Sequence, residues 1–263
     1  MRIDVHTHVF DHKIAHKVLA QLEAHYSISP VGNGHVDDLI ARLDKVEIDK
    51  AVVLTAATAP DQVIPANNWA IKLKKQNPRL IPFGTIHPDF DRNEAELDRL
   101  EKHGIKGLKF HPDFQGYRLD DNAFFELMEM VQDRFICMFH VGDILPPDEN
   151  PSCPRKLAFL RKTFPKPVMI AAHMGGYQHW EYALEHLINT DIFVDTSSVT
   201  NFVDDNLLAR LFDAYDWDRI LFGSDYPLFD PVVEIQQLSK RLKLNDSQLD
   251  IILSTAGNIL NSE

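Results

Sequence analysis

The sequence predicts a (β/α)8 barrel, a TIM barrel formed by one domain over residues 1–263. Two observations carry this expectation. Eight short apolar runs alternate with amphipathic stretches, and nearly every run ends, on its C-terminal side, in a histidine, lysine or aspartate. A parallel barrel opens the C-terminal ends of all its strands onto one mouth, where residues from several strands meet. The chain has 263 residues and 44% hydrophobic content, enough for a sizeable core, and α/β barrels commonly run to about 250 residues as one unit. No linker, low-complexity tract or second composition zone interrupts it.

The apolar runs occupy residues 2–8, 50–56, 80–87, 105–111, 135–141, 167–173, 192–198 and 220–225. They are near-continuous in Val, Ile, Leu and Phe, as suits strands buried on both faces. Helical patterns lie between them. Val36, Leu39, Ile40, Leu43 and Val46 recur at helical spacing, with Asp37, Asp38, Arg42 and Asp44 on the other face. Leu97 and Leu100 mark another helix, stopped by Gly104 just before the fourth strand. Residues 121–132, 180–188, 203–212 and 232–242 repeat the theme, and a last helix over 249–260 has Asp246 or Ser247 as its expected N-cap. The longest irregular stretches, 27–35, 55–65 and 143–154, are rich in Pro, Gly, Asn or Asp. The latter two follow strands two and five and so belong to the catalytic face. An open doubly wound sheet competes with the barrel, but no Gly-x-Gly-x-x-Gly follows a strand and no phosphate loop is present.

Composition narrows the partners. A net charge of −12 argues against nucleic acid, which requires a basic stripe. The start, Met1-Arg2-Ile3-Asp4, carries an acid at its fourth residue and no long apolar segment follows, so neither a signal peptide nor a membrane span is expected. A cytoplasmic enzyme with a small-molecule substrate is the simplest expectation, and a homodimer the default among oligomers. Of two cysteines, Cys137 lies inside an apolar strand, which favours a buried free thiol over a disulfide framework.

The strand ends carry the chemistry. His6 and His8 are two residues apart on a strand, point the same way, and are spaced to chelate one divalent ion. His140 ends Ile136-Cys137-Met138-Phe139-His140, and His173 ends Ile170-Ala171-Ala172-His173 ahead of Met174-Gly175-Gly176. A histidine at the tip of so apolar a strand needs a partner, which a metal supplies. Asp225, in Gly223-Ser224-Asp225-Tyr226-Pro227, is a carboxylate at a depth that calls for pairing or an ion. Lys109 and His111, in Gly107-Leu108-Lys109-Phe110-His111-Pro112, share strand parity. Lys109 has three readings: an anchor for a substrate carboxylate, a carbamylated bridge between two metals, or the partner of a buried acid. His87 and Asp195 end strands three and seven, and Ser197 and Ser198 are expected substrate hydrogen-bond donors. His12, His16, His25, His35, His103, His179 and His186 are expected at the surface, with His179 at the border of the pocket.

With these residues placed, the chain resembles the amidohydrolase superfamily, in its amidohydrolase-related branch with the aminocarboxymuconate semialdehyde decarboxylase-like enzymes. The segments that carry the resemblance are Ile3-Asp4-Val5-His6-Thr7-His8, Gly107-Leu108-Lys109-Phe110-His111-Pro112, Ala172-His173-Met174-Gly175-Gly176 and Gly223-Ser224-Asp225-Tyr226-Pro227, with Asn258 in the last helix. The resemblance implies a zinc-like ion held by His6, His8, His140 and Asp225, with His173 acting on the water bound to it. One ion is favoured, Zn²⁺ or another divalent transition metal. Two remain compatible, with Lys109 carbamylated and His140 and His173 on the second.

The leading expectation is a metal-dependent hydrolase that attacks a small anionic amide, lactone or ester with metal-activated water. His173 and Asp225 manage protons, while Lys109 and His111 bind substrate. The alternative is a lyase that decarboxylates or hydrates an unsaturated or aromatic carboxylic acid at the same site. A barrel that binds without catalysis is disfavoured by the full set of strand-end residues.

Overall fold

A computed structural model of the chain describes residues 1–260 and shows the expected alternation. The strands are β1 Ile3–Thr7, β2 Lys50–Val53, β3 Leu80–Pro82, β4 Gly107–Phe110, β5 Ile136–Phe139, β6 Met169–Ala171, β7 Phe193–Asp195 and β8 Ile220–Leu221. The helices of the first half are α1 Ala15–Tyr26, α2 Val36–Asp44, α3 Val63–Gln76, α4 Asn93–Lys102, α5 Pro112–Gln115 and α6 Asn122–Val131. The second half contributes α7 Pro154–Thr163, α8 Trp180–His186, α9 Val199–Phe202, α10 Asp205–Ala214, α11 Pro231–Leu242, α12 Asp246–Ser254 and α13 Ala256–Leu260.

All strand pairs are parallel and follow chain order, β1-β2-β3 and β4-β5-β6-β7-β8. Two single bridges join these arcs into a ring: Gly84 with Leu108 between β3 and β4, and Thr7 with Tyr226 between β8 and β1. The bonds Lys109 N to Gly84 O (2.8 Å) and Val5 N to Phe222 O (2.8 Å) run across the two seams. Among the described residues the barrel is therefore closed and leaves no edge strand.

Side-chain alternation builds two apolar layers. Val52, Leu54, Phe83, Met138 and Ile170 belong to one cluster, and Ala256 and Leu260 of α13 join it. Leu39, Leu43, Leu97, Leu108, Phe110, Phe139 and Val194 belong to the layer between strands and helices. At Gly107 a Cβ would lie 2.3 Å from the Phe83 ring, so only glycine lets that ring fill the space. Gly142 (φ +77°) brings the loop after β5 against the Tyr177 carbonyl, 2.2 Å from where a Cβ would stand.

The elements differ from expectation where local signals compete. The third run, 80–87, is a strand only over Leu80–Pro82. The last helix divides into α12 and α13, and its N-cap is Asn245, in a reciprocal capping box with Gln248, rather than Asp246 or Ser247. Helices α1, α3 and α7 lie outside the helical patterns read from the sequence. In α1 only Ala15 is buried, and α3 starts inside a Pro-containing stretch that reads as loop. Cys137 and Cys153 are both free and buried. Among the described residues no helix is long and apolar enough to cross a membrane.

Candidate metal centre at the barrel mouth

The end of β1 and the end of β8 meet. His6 Nδ1–H donates to Asp195 Oδ2 at 2.9 Å, and His8 Nδ1–H donates to the Leu54 carbonyl at 3.1 Å. Both acceptors lack a proton to give, so each ring is the tautomer whose Nε2 carries a free lone pair. Those two Nε2 atoms lie 3.6 and 3.5 Å from the same Asp225 Oδ1. Ser198 Oγ–H donates to the other oxygen, Oδ2, at 2.8 Å. Burial alone raises the Asp225 carboxyl, but His6, His8 and His173 outweigh it and hold the group well below the usual carboxylate range. His6, His8 and Asp225 thus present two imidazole nitrogens and one carboxylate oxygen, all within 4.8 Å of one another.

Behind this cluster, Asp195 at the end of β7 organises three elements. Its Oδ1 accepts from the backbone N–H groups of His173 (3.1 Å) and Ser197 (2.9 Å) and from the Ser197 hydroxyl. Ser197 Oγ, its proton given to Asp195, accepts from His173 Nδ1–H at 2.8 Å. That leaves His173 Nε2 as an acceptor for His140 Nδ1–H at 3.1 Å. His140 Nε2 is then a bare lone pair, and it is buried with no partner in the protein. One carboxylate therefore sets the tautomers of His6, His173 and His140 in sequence. Burial, with His6 next to it, lowers the His173 imidazole to about 4, so it is neutral at physiological pH. His140 is likewise pushed well below its ordinary value by burial and by His111.

Lys109 is buried in the same cavity and its Nζ has no hydrogen-bond partner. Burial pushes this ammonium down to about 8, although the Asp195 and Asp225 carboxylates pull the other way. His111 stacks on His140 (3.8 Å between centroids, 9°) and on Phe114 (4.0 Å, 5°). Both of its nitrogens are engaged, Nδ1 with Phe114 N–H and Nε2 with the Tyr26 hydroxyl, each at 3.4 Å. Asp113, which groups with His111 and His140, is bound by Asn150 and Ser152. In that second cluster His111 and Asp113 are satisfied by the protein itself and only His140 Nε2 stays open, whereas His6 and His8 of the first both leave lone pairs open.

Lys109→Met is expected to stabilise the metal-free protein by roughly 3 kcal/mol at neutral pH, because the folded state holds a buried unpaired ammonium. The folded value near 8 lies below the ordinary 10.5. The penalty is therefore complete below pH 8 and fades as pH rises towards 10.5, where only the unfolded lysine still binds its proton. Urea midpoints of both proteins below pH 8 and near pH 10 check this; equal midpoints at the lower pH contradict it.

Several placements differ from the sequence expectation. Ser197 orients histidines and Ser198 orients Asp225, so their hydroxyls are engaged within the protein. His87 ties β3 to the Gln115 carbonyl (2.8 Å) and does not line the cavity. His179 is buried and bonded to the Leu145 carbonyl at 2.8 Å. His25 is not a plain surface residue: it lines the cavity, 3.3 Å from Asp143. Asn258 is exposed on α13 and lies outside the cavity. Sequence reasoning left Asp195 without a role and passed over Tyr26. His173, Ser198 and Asp225 all adopt positive φ, 60°, 62° and 62°, as the helix C-caps Ser27, Gln132 and Lys243 also do away from the mouth.

The donor set fits a divalent metal ion: convergent, correctly tautomerised His6 and His8, an ionised Asp225, and an orphaned buried nitrogen on His140. A closed parallel barrel with this cluster at its C-terminal mouth defines a metal-dependent barrel enzyme. The chain belongs to the amidohydrolase family, whose profile matches residues 3–254. No curated protein matches it. Among solved structures, a TIM-barrel protein of unassigned function from Bordetella bronchiseptica superposes with a TM-score of 0.78 at 14% identity, over 98% of this chain and 97% of that one. The 5-carboxyvanillate decarboxylase of Novosphingobium aromaticivorans, complexed with manganese and 4-hydroxy-3-methoxy-5-nitrobenzoic acid, gives 0.74 at 16% identity over 100% and 96%. A proposed 2-pyrone-4,6-dicarboxylic acid hydrolase from Pseudomonas putida gives 0.70 at 14% over 100% and 98%. At these identities the likeness establishes a shared fold.

Proposed function

We propose that this chain is a divalent-metal-dependent decarboxylase of a planar, unsaturated or aromatic carboxylic acid. The observation that carries the reading is one cavity holding both an unpartnered ammonium, Lys109 Nζ, and a stack of flat rings, His140, His111 and Phe114, with Tyr26 and Tyr177 at its edges. A buried cation without a partner suits a ligand carboxylate, and a stacked wall suits a conjugated plane. The decarboxylase fold relative from N. aromaticivorans agrees with this choice over hydrolysis.

His6, His8 and Asp225 would hold one ion, with the open Nε2 of His140 as a further donor, since its neighbours His111 and Asp113 are already satisfied. When bound, the ion supplies Lewis-acid polarisation of a substrate oxygen. Zn²⁺ and Mn²⁺ both suit nitrogen and oxygen donors. Lys109 binds the acid and the ring stack fixes its plane. The bond from the substrate carbon to the carboxyl carbon breaks, carbon dioxide leaves, and the electron pair stays on the carbon, which takes up one proton. That proton is drawn from solvent. The neutral His173, with its Nε2 turned to His140, and the anionic Asp225, steadied by Ser198, are the bases that would take it up and hand it to the carbon.

Hydrolysis of an anionic lactone, ester or amide is the second reading. A neutral His173 favours it, because such an imidazole accepts a proton from attacking water. Protein purified without chelator and supplied with Mn²⁺ or Zn²⁺ is expected to release carbon dioxide from hydroxybenzoic and muconate-type acids. Turnover of lactones or amides without carbon dioxide release from any acid overturns the decarboxylase in favour of the hydrolase.

A further inference from the structure

The cavity of the metal centre does not end at the reacting groups. It continues outward between α1 and α3 to a total of ≈ 940 Å³, near the top of the roughly 300–1,000 Å³ range of pockets that engulf drug-sized ligands. A single ring with its carboxylate occupies only the inner end. Helix α1 comes back to the reaction centre at its C-terminus, where Tyr26 meets His111. Ile14 at its start is twelve residues away, about 18 Å at the helical rise.

Along that length Ile14, Val18 and Leu22 recur every fourth residue and line the cavity, with Ala66 and Trp69 of α3 as further lining. The protein covers this stripe only in part: Ile14 is 50% exposed, Val18 and Leu22 are half-buried, and Ala15 is the only fully buried residue of α1. Trp69 is fixed in place: its Nε1–H donates to the Val9 carbonyl at 3.2 Å, and the Lys72 ammonium lies 5.2 Å over its ring. An apolar helix stripe left open to solvent costs free energy unless something apolar lies on it. Its continuity with the metal centre identifies that partner as part of the molecule being processed.

The geometry points to a substrate whose acid head carries an extended apolar tail, an alkyl chain or a second ring system, lying in the groove between α1 and α3. This rests on the acid-binding reading of the metal centre and extends it from the head group to the whole molecule. The tail contacts Val18, Leu22, Ala66 and Trp69, which makes these residues the determinants of chain-length selectivity.

The test reads binding and turnover separately. Metal-loaded protein is titrated calorimetrically with two series of acids, 6-alkylsalicylates and 6-alkyl-2-pyrone-4-carboxylates, each with chains from methyl to nonyl. In at least one series the dissociation constant is expected to fall about two- to fourfold per methylene over the first several carbons. Val18→Asp and Ala66→Phe, whose folding is checked by thermal melts, are expected to flatten that dependence. Constants that do not change with chain length in either series, or no binding by either, overturn the inference, as does an undiminished slope in both folded variants. A clear slope without carbon dioxide release retains the tail groove and removes the decarboxylase. Carbon dioxide release with a flat slope does the reverse.

Discussion

His6→Ala is expected to strip the metal from the protein and to lower kcat/KM by about a thousandfold or more. His6 contributes twice to the mouth. Its Nε2 is one of the two imidazole lone pairs converging beside Asp225, and its Nδ1–H neutralises one oxygen of the buried Asp195. Removing it leaves one histidine and one carboxylate of the three donors that β1 and β8 bring together, too few to hold the ion. Lewis-acid stabilisation of a developing charge is worth several kcal/mol, and about 4 kcal/mol corresponds to three orders of magnitude in rate. Asp195 Oδ2 also loses its 2.9 Å donor, so the melting temperature falls as well. Elemental analysis of protein purified without chelator or histidine tag separates the effects. About one ion per wild-type chain and almost none per variant chain supports the assignment, while an ion retained in full together with turnover removes His6 from the centre.

Much of this was legible because strand periodicity and strand-end chemistry are both local in sequence. His6-x-His8 announces a shared direction through the two-residue repeat of a strand, and Asp225 announces itself by its depth after an apolar run. Their convergence beside one carboxylate oxygen follows from closing the barrel between β8 and β1. What sequence could not convey is long-range pairing. Asp195 reads as an unremarkable strand end until folding puts His6, 189 residues earlier in the chain, against it. His25 reads as a surface residue, and Tyr26 draws no attention, because α1 has almost no buried face. That open face exists because the helix lines the cavity, meeting the core chiefly through Tyr26 at its C-terminal end. Ser197 shows the same limit from the other side. A hydroxyl at a catalytic mouth reads as a substrate donor, yet here its proton is committed to Asp195.

Asp195→Asn tests whether tautomer control from outside the ligand set matters as much as the ligands themselves. The amide oxygen can replace Oδ1 and still accept from His173 N–H, Ser197 N–H and the Ser197 hydroxyl. The amide nitrogen then occupies the place of Oδ2 and directs N–H at His6 Nδ1, now 2.9 Å from an acceptor. To avoid two donors facing each other, His6 must move its proton to Nε2, the atom that faces Asp225. The lone pair needed for the ion is lost without the ring leaving its place. Groups of this kind behind metal-ligating histidines are typically worth about 10–100-fold in metal affinity. The expected result is therefore a metal dissociation constant raised by that factor, with kcat recovering in large part at saturating metal. A variant that had merely lost structure would not recover on adding metal. The lost charge-assisted bond to His6 also predicts a fall of about 1.5–3 kcal/mol in unfolding free energy. Because burial is outweighed by His6 and His173, which hold Asp195 well below the usual carboxylate range, this contribution is present above the unfolded carboxyl value. It disappears as pH falls through the lower folded value, so the stabilities of wild type and variant converge in strong acid. Metal titrations of both proteins decide the matter: dissociation constants within twofold of each other mean that Asp195 does not set the His6 tautomer.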